Sequence, residues 1–208
     1  MKFGFLLYAG IEPMDLASIG VVSMGKRVIP ELSYLTIAEN LLPCEFSNGL
    51  KVIPDFTYET CPPIDILLIP GGPGWINASK DDRLLSFIGK FKGQTLVASL
   101  CTGAMILAAT GLLDRLTITT KNEIIPPDKS PLEIIQEDFP AINAVSALIV
   151  DSGSIITGGG VSLCIDTVLY IICKYFGEEK TLEIARIIEY SAAMDANKAR
   201  MPILTPKY

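Results

Sequence analysis

The amino-acid sequence predicts an α/β fold with a mostly parallel central sheet. Apolar runs of about five to seven residues alternate with segments of helical periodicity, which is the pattern of repeated βαβ units. The first run is almost continuously apolar, as a strand covered by helices on both faces must be. At 208 residues, half of them apolar, the chain is long enough to bury a full core as one domain.

Five apolar runs are predicted to be strands: residues 3–8, 33–38, 65–70, 95–100 and 116–119. Further pairs of short runs are predicted to be hairpins, because Asn-Gly and Ser-Gly turn signals separate their members. These hairpins join residues 44–46 to 51–53 and residues 144–151 to 154–157.

The predicted helices lie between and after these strands, at residues 14–24, 84–91, 103–109, 131–138, 162–176 and 178–190. Pro13 near the start of the first helix and Gly111 after the third are typical helix boundaries. Residues 191–208 contain two prolines and little periodicity. We expect a single domain over residues 1–190 and a C-terminal tail, partly mobile or packed on that domain or on a dimer partner.

The composition excludes several classes of protein. A net charge of −6 and a pI near 4.7 argue against nucleic-acid binding, which needs a basic surface. No stretch approaches the roughly 18 apolar residues of a membrane span, and no secretory signal is evident. Five cysteines without a disulfide-type spacing favour a reducing, cytoplasmic location. With no histidine and no closely spaced cysteine pair, we expect no metal site and no cofactor.

Cys101 is the main candidate for chemistry. It lies between a predicted strand and a predicted helix, at the apex of a tight corner, where the helix dipole and free backbone N–H groups are expected to lower the pKa of the thiol. A buried cysteine of the core is the alternative, but the flanking Thr102 and Gly103 favour a functional thiol. Because the chain has no histidine, the proton partner must be a carboxylate, a hydroxyl or a lysine.

Ligands of open parallel sheets bind at the carboxyl ends of the strands. Polar or glycine-rich segments follow four predicted strands there: Glu12 with Asp15, Gly71-Gly72, Cys101-Thr102, and Thr119-Thr120-Lys121. Asp15 either benefits from a helix dipole or, beside a thiolate, has a raised pKa and moves protons near neutral pH.

The glycine pair and Thr102 each allow two interpretations. Gly71 and Gly72 either form a simple turn or expose an N–H that, with the N–H of Thr102, binds developing negative charge. The hydroxyl of Thr102 either caps the following helix or orients a substrate or a water molecule. Glu12 is a further candidate for substrate binding.

The chain resembles the PfpI-like superfamily, which is related to class I glutamine amidotransferases, and within it the isonitrile hydratases. The matching segments are residues 7–16, 69–74, 99–104, 109–114 and 156–162, with Ile165 and Asp166. The resemblance extends to about Tyr190. It implies a flavodoxin-like three-layer sandwich, a homodimer, a small-molecule substrate, no metal and no organic cofactor. It also implies that Cys101, Asp15 and Thr102 are the catalytic residues.

One residue departs from the pattern of many relatives, which have a histidine where this chain has Lys121. This departure argues against a protease or deglycase that uses a Cys–His pair. The leading hypothesis is therefore hydration of an isonitrile to an N-substituted formamide through a thioimidate on Cys101, with Asp15 as general acid and base. The alternatives are a redox or electrophile sensor that acts through oxidation of Cys101, and an enzyme for small oxoaldehydes.

Overall fold

The computed structural model describes residues 1–205. A mostly parallel sheet of eight strands runs through its centre, and helices cover both faces. The predicted α/β fold class, a flavodoxin-like three-layer sandwich, is therefore confirmed.

The strands are short, and those at the centre of the main sheet are buried. They are β1 (Lys2–Leu6), β2 (Ser33–Ala38), β3 (Cys44–Glu45), β4 (Lys51–Val52), β5 (Phe56–Thr57), β6 (Ile66–Ile69), β7 (Leu96–Ser99), β8 (Thr117–Ile118), β9 (Asn143–Ala144), β10 (Ile149–Asp151), β11 (Ile155–Gly158) and β12 (Ile203–Leu204). The helices are α1 (Ala17–Gly25), α2 (Trp75–Ala78), α3 (Asp82–Gly89), α4 (Gly103–Ala109), α5 (Pro131–Asp138), α6 (Cys164–Phe176), α7 (Glu178–Ile187) and α8 (Ser191–Arg200). Two 3₁₀ turns, Pro13–Leu16 and Val161–Leu163, precede α1 and α6.

The strand order in the main sheet is β12-β10-β11-β7-β6-β1-β2-β5. All neighbours are parallel except β10 and β11, which form an antiparallel pair. β1, β6 and β7 are adjacent at the centre, with Phe5 opposite Leu68 and Leu68 opposite Ala98. The loops that follow these three strands at their carboxyl ends are therefore neighbours. Open parallel sheets bind their ligands at this edge.

Alternate residues of the central strands face opposite layers, because side chains alternate across a strand. Leu67 and Val97 pack with α4 residues in one core, whereas Leu68 and Ala98 pack with α1 and α6 residues in the other. Strands buried on both faces explain the nearly continuous apolar runs in the sequence. Over residues 1–205, no helix combines the length and the apolar character that crossing a membrane requires.

Both predicted hairpins are present, as the antiparallel pairs β3–β4 and β10–β11. The predicted strand at residues 116–119 is shorter, and it pairs with β9 in a separate small sheet instead of joining the main one. The predicted first helix begins as a 3₁₀ turn, which places Asp15 before α1.

The C-terminal segment is more regular than the sequence predicts. Residues 191–200 form α8, which has little apolar periodicity because only Met194 and Asn197 are buried. β12 then joins the edge of the main sheet beside β10. The remainder of the expected tail, residues 206–208, lies outside the described residues.

Candidate active site

Cys101 lies at the strand-to-helix corner that the sequence predicts. Its φ of +53° is in the left-handed region, which is unusual for a residue with a side chain. The backbone on both sides is fixed: the Cys101 N–H donates to the carbonyl of Gly159 at 3.1 Å, and its own carbonyl accepts from the Thr120 hydroxyl at 2.8 Å. Tethering to two other segments allows such a strained conformation to persist.

Gly71 lies directly against this corner. A Cβ atom at Gly71 would lie 2.7 Å from both the Cβ of Cys101 and the hydroxyl oxygen of Thr102, closer than real Cβ atoms approach. Only glycine therefore allows the loop after β6 to touch the cysteine, which explains the glycine pair better than a simple turn does.

Asp15 reaches the same point from the loop after β1. Its side chain is 1% exposed, and its Oδ2 accepts a hydrogen bond of 2.6 Å from the Gly71 N–H. Oδ1 has no hydrogen-bond partner among residues 1–205. Burial raises the pKa of Asp15 to about 7; the hydrogen bond from Gly71 opposes this rise and the charge of Glu12 adds to it. A carboxyl group with this pKa can both donate and accept a proton at neutral pH.

Glu12 lies at the start of the 3₁₀ turn that carries Asp15. Its Oε1 accepts from the Met14 N–H at 3.4 Å as the N-cap of the 3₁₀ turn, and its own N–H donates to the Gly71 carbonyl at 2.9 Å. Glu12 therefore fixes the loop that carries Asp15 and acts on that carboxyl group through its charge.

Thr102 is the N-cap residue of α4, but its side chain makes no capping hydrogen bond. Its hydroxyl oxygen accepts from the Gly72 N–H at 2.8 Å and faces the Gly72 carbonyl at 3.2 Å, so it joins the loop after β6 to the corner. The expectation that Gly71 and Gly72 expose free N–H groups to a substrate is therefore wrong for this structure. The Gly71 N–H is bound to Asp15, and the Gly72 N–H is bound to Thr102.

The expectation of a lowered pKa at Cys101 is also wrong. The thiol is 3% exposed, and burial followed by the charge of Asp15 raises its pKa to about 11. Backbone N–H groups of Val161 and Thr102, and the charge of Lys121, act in the opposite direction without overcoming burial. The sequence shows that a cysteine lies at a corner but not how deeply that corner is covered, and desolvation is the larger effect.

The fourth polar segment at a strand end, Thr119-Thr120-Lys121, also lies at the site. The hydroxyl of Thr119 donates to the Ala147 carbonyl at 3.0 Å, and that of Thr120 holds the carbonyl of Cys101. These threonines fix the backbone, whereas Lys121 is near the thiol.

A cavity of about 170 Å³ is lined by the segment that packs on Cys101. Among its lining residues are Lys121, Gly160, Val161 and Arg200. A Cβ atom at Gly160 would lie 3.1 Å from the sulfur of Cys101 and 2.7 Å from the Cγ of Lys121, so the thiol and the lysine stem meet at this glycine. Cys101 itself does not line the cavity, which reaches the corner only through Gly160 and Lys121.

The sequence reasoning missed two residues near the thiol. Tyr8 is buried at the end of β1, donates a 2.7 Å hydrogen bond to the Pro70 carbonyl, and has a pKa raised by burial and by the charges of Asp15 and Cys101. The backbone N–H of Val161, in the turn before α6, acts to lower the pKa of the Cys101 thiol. Neither has a signal in the sequence, because an apolar run hides a buried tyrosine and a backbone donor can belong to any residue.

No three histidine, cysteine, aspartate or glutamate side chains in the described part of the chain are arranged to hold a metal ion. All five cysteines are free thiols. Cys164 is buried near the site: its thiol donates to the Met14 carbonyl at 3.6 Å, and burial and the charges of Asp15 and Cys101 raise its pKa. Cys173, in the same helix, is partly buried.

Comparison with known proteins identifies relatives of several kinds. The chain is 28% identical over 196 residues to an isonitrile hydratase of Pseudomonas putida, a match that covers 93% of this chain and 80% of the hydratase. It is 24% identical over 144 residues to the transcriptional regulator GbdR of Pseudomonas aeruginosa, covering 69% of this chain and 37% of that regulator. The chain therefore corresponds to only a part of the regulator's length.

Solved structures share the fold. A ThiJ/PfpI family protein of Pseudomonas syringae has a TM-score of 0.75 at 23% identity, covering 96% of this chain and 86% of that one. DJ-1beta of Drosophila melanogaster has the same TM-score at 18% identity, covering 90% and 97%. The profile of the DJ-1/PfpI family matches residues 7–173, most of the sheet and the whole candidate site. The chain belongs to the DJ-1/PfpI family, as the resemblance in its sequence predicts.

Proposed function

We propose that this protein is an enzyme that adds water to an isonitrile and releases an N-substituted formamide, with Cys101 as the nucleophile. The observation that carries the proposal is the buried Asp15, whose pKa of about 7 suits proton transfer and whose carboxylate accepts a hydrogen bond from Gly71, the glycine that packs against Cys101. The similarity to an isonitrile hydratase over 93% of the chain supports the choice of substrate.

In the first half of the reaction, the thiol adds to the terminal carbon of the isonitrile. Asp15 in its neutral form donates a proton to that carbon, and the sulfur of Cys101 forms a bond to it. The proton of the thiol passes to the Asp15 carboxylate, so the site keeps its proton count. The product is a thioimidate in which the former isonitrile carbon carries one hydrogen and the sulfur.

In the second half, water adds to the carbon–nitrogen double bond of the thioimidate. Asp15 protonates the nitrogen and accepts a proton from the water molecule, which gives a tetrahedral intermediate with a hydroxyl group. Loss of the sulfur, which takes up the hydroxyl proton through Asp15, releases the formamide and restores the thiol. One residue serves as acid and as base because its pKa lies near neutrality.

The raised pKa of Cys101 fits this sequence of steps. A neutral thiol beside an acid of pKa about 7 loses its proton only as the substrate carbon becomes electrophilic, so sulfur is not held as a free thiolate. In this scheme the Thr102 hydroxyl does not contact the substrate, because it is hydrogen-bonded to Gly72, and the Thr102 N–H acts to lower the pKa of the Cys101 thiol.

Turnover of benzyl isonitrile, followed as formation of N-benzylformamide by chromatography, tests the proposal. We expect Cys101→Ala to be inactive and Asp15→Asn to lose about 10²–10⁴-fold, the usual contribution of a general acid or base. Cys173→Ala is the matched control, because it removes a thiol outside the corner, and it should retain full activity. Wild-type turnover by Cys101→Ala would exclude the mechanism.

The sensor hypothesis remains as the alternative from a different class, since GbdR and a Pseudomonas putida AraC family regulator are among the relatives. The raised pKa and burial of Cys101 weigh against it, because redox-sensing thiols are exposed and ionised. Titration with hydrogen peroxide and intact-mass detection distinguishes the two. Selective oxidation of Cys101 without isonitrile turnover would favour the sensor.

Loss of methylglyoxal with formation of lactate would instead favour the oxoaldehyde enzyme.

We also propose that the protein is a cytoplasmic homodimer. The five free thiols support a reducing compartment. Sedimentation equilibrium at several concentrations tests the dimer: a mass of twice 22.5 kDa is expected, and a monomer at every concentration would exclude it.

A further inference from the structure

One peptide group lies between Tyr8 and Asp15. The hydroxyl of Tyr8 donates to the Pro70 carbonyl at 2.7 Å, and the N–H of Gly71 donates to Oδ2 of Asp15 at 2.6 Å. The Pro70 carbonyl and the Gly71 N–H belong to the same trans peptide group, so they point in opposite directions. The tyrosine on one side and the candidate acid on the other are therefore connected through this peptide.

Both ends of the connection are buried and fixed in place. Tyr8 is 7% exposed and packs in the core on the α4 side of the sheet, whereas Asp15 is 1% exposed. The Gly71 carbonyl accepts from the Glu12 N–H at 2.9 Å, which holds the next peptide group of the loop as well. Hydrogen bonds in such a low-dielectric interior are electrostatically stronger than bonds at the surface, and successive bonds polarise one another.

This polarisation has a definite direction. A carbonyl that accepts a hydrogen bond polarises its peptide group, so the N–H at the other end becomes a better donor. The hydroxyl of Tyr8 therefore strengthens the bond from Gly71 to Asp15. That bond favours the charged carboxylate and opposes burial, which together with the charge of Glu12 raises the pKa of Asp15 to about 7.

We propose that Tyr8 is a positioning residue, whose hydroxyl holds and polarises the Pro70–Gly71 peptide group and thereby stabilises the charged form of Asp15. The use of Asp15 as acid and base rests on the proposed function, but its connection to Tyr8 does not. Without the hydroxyl, Asp15 would keep its proton to higher pH and would be a weaker acid in the step that protonates the substrate.

The other groups around Asp15 do not titrate in the same range. Its charged neighbour is Glu12, which precedes it in the same turn. The further titratable groups that face it are Tyr8 after β1, Cys101 before α4 and Cys164 in α6. Burial raises the pKa of all three, so they stay neutral up to about pH 9. A change in the titration of Asp15 near neutral pH therefore reports on its hydrogen bonds.

The test replaces Tyr8 with phenylalanine, which removes the hydroxyl and keeps the ring. Aspartate labelled with ¹³C at the side-chain carboxyl carbon gives the pKa of Asp15 by NMR, its resonance being the one that disappears in Asp15→Asn. We expect the midpoint of this titration to rise by about 0.5 pH unit in Tyr8→Phe, since polarisation supplies about 10–30% of a hydrogen bond to a charged group. The fall of kcat/KM for benzyl isonitrile at high pH should move by the same amount, because the first step needs neutral Asp15.

Tyr58→Phe is the matched control. Tyr58 is buried in the same core, and its hydroxyl makes no hydrogen bond to the loop after β6, so the titration of Asp15 should match the wild type. A merely structural loss at Tyr8 would lower the resistance to urea without moving that titration. An unchanged midpoint in Tyr8→Phe, or an equal rise in Tyr58→Phe, would overturn the proposal. If the midpoint rises as expected and benzyl isonitrile is not turned over, only the proposed function fails.

Discussion

Replacing Asp15 with asparagine should reverse the order of stability of two proteins between acid and alkaline pH. In the unfolded chain the pKa of this aspartate is 3.8, whereas in the folded protein burial raises it to about 7. Between these pH values the folded state holds a proton that the unfolded state has lost. The free energy of unfolding of the wild type therefore falls as pH rises from about 4 to about 7, and this contribution is constant above about pH 8.

The size of the effect follows from the two pKa values. Each tenfold change in an ionisation constant is worth about 1.4 kcal/mol, so ionising Asp15 in the folded protein costs about 4 kcal/mol at pH 8. Asparagine does not ionise and avoids this cost, while its amide oxygen still accepts from the Gly71 N–H. Its NH₂ group, however, takes the place of the unpartnered carboxylate oxygen, and a buried donor without an acceptor costs about 1–3 kcal/mol at every pH.

The two terms predict a crossing. Asp15→Asn should be less stable than the wild type by up to about 2 kcal/mol near pH 4.5, where the unfolded aspartate is already mostly ionised, and more stable by about 1–3 kcal/mol at pH 8. Urea unfolding of both proteins at pH 4.5, 6 and 8, followed by the fluorescence of the one tryptophan, measures the difference. Comparing the proteins at each pH cancels the contributions of other titrating groups.

A constant difference between the two proteins from pH 4.5 to 8 would refute the reasoning, because it would mean that Asp15 does not titrate in that interval. Glu12→Gln is the internal control. It leaves Asp15 in place and removes a negative charge that raises its pKa, so the decline in stability should remain but occur at lower pH.

Three further predictions concern the thiol and the loops around it. Alkylation of Cys101 by iodoacetamide should continue to accelerate up to about pH 11, and a plateau near pH 7 would contradict the raised pKa. Thr102→Val should destabilise the protein by about 1–3 kcal/mol in chemical unfolding, because the buried N–H of Gly72 loses its acceptor, whereas Thr102→Ser should restore most of the loss. Gly160→Ala should strongly lower isonitrile turnover, since the added Cβ would lie 3.1 Å from the sulfur, whereas Gly89→Ala, with nothing within 4 Å, should leave turnover unchanged.

The sequence predicts the framework of the fold well because its signals are local. Apolar runs buried on both faces define β1, β6 and β7, and the strand-to-helix corner at Cys101 follows from adjacent apolar and small-residue patterns. The separate pairing of β8 with β9 is not local, because it depends on which distant segment lies beside a short strand. α8 is missed because its sequence is polar on most faces and only two of its residues are buried.

The sequence predicts which residues form the site but not the direction in which the pKa of Cys101 shifts. Strand ends of a parallel sheet converge, so Asp15, Gly71 and Cys101 can be grouped from their spacing alone. Burial depth, however, is a sum over the whole fold, and it raises the pKa of Cys101 against the effect of the helix dipole. The left-handed φ of Val161, beside the corner, has no signal in the sequence, because no residue type in that segment indicates it.

The attachment of β12 to β10 has a practical consequence for handling the protein. Ile203 and Leu204 pair with Ile149 and Val150 at the outer margin of the main sheet, and Met201 just before them walls the cavity beside the thiol. Deleting residues 201–205 would expose the row of peptide groups along β10, which is a template for recruiting strands from other molecules. The shortened protein would be prone to self-association and would also lose Met201 from the wall of that cavity.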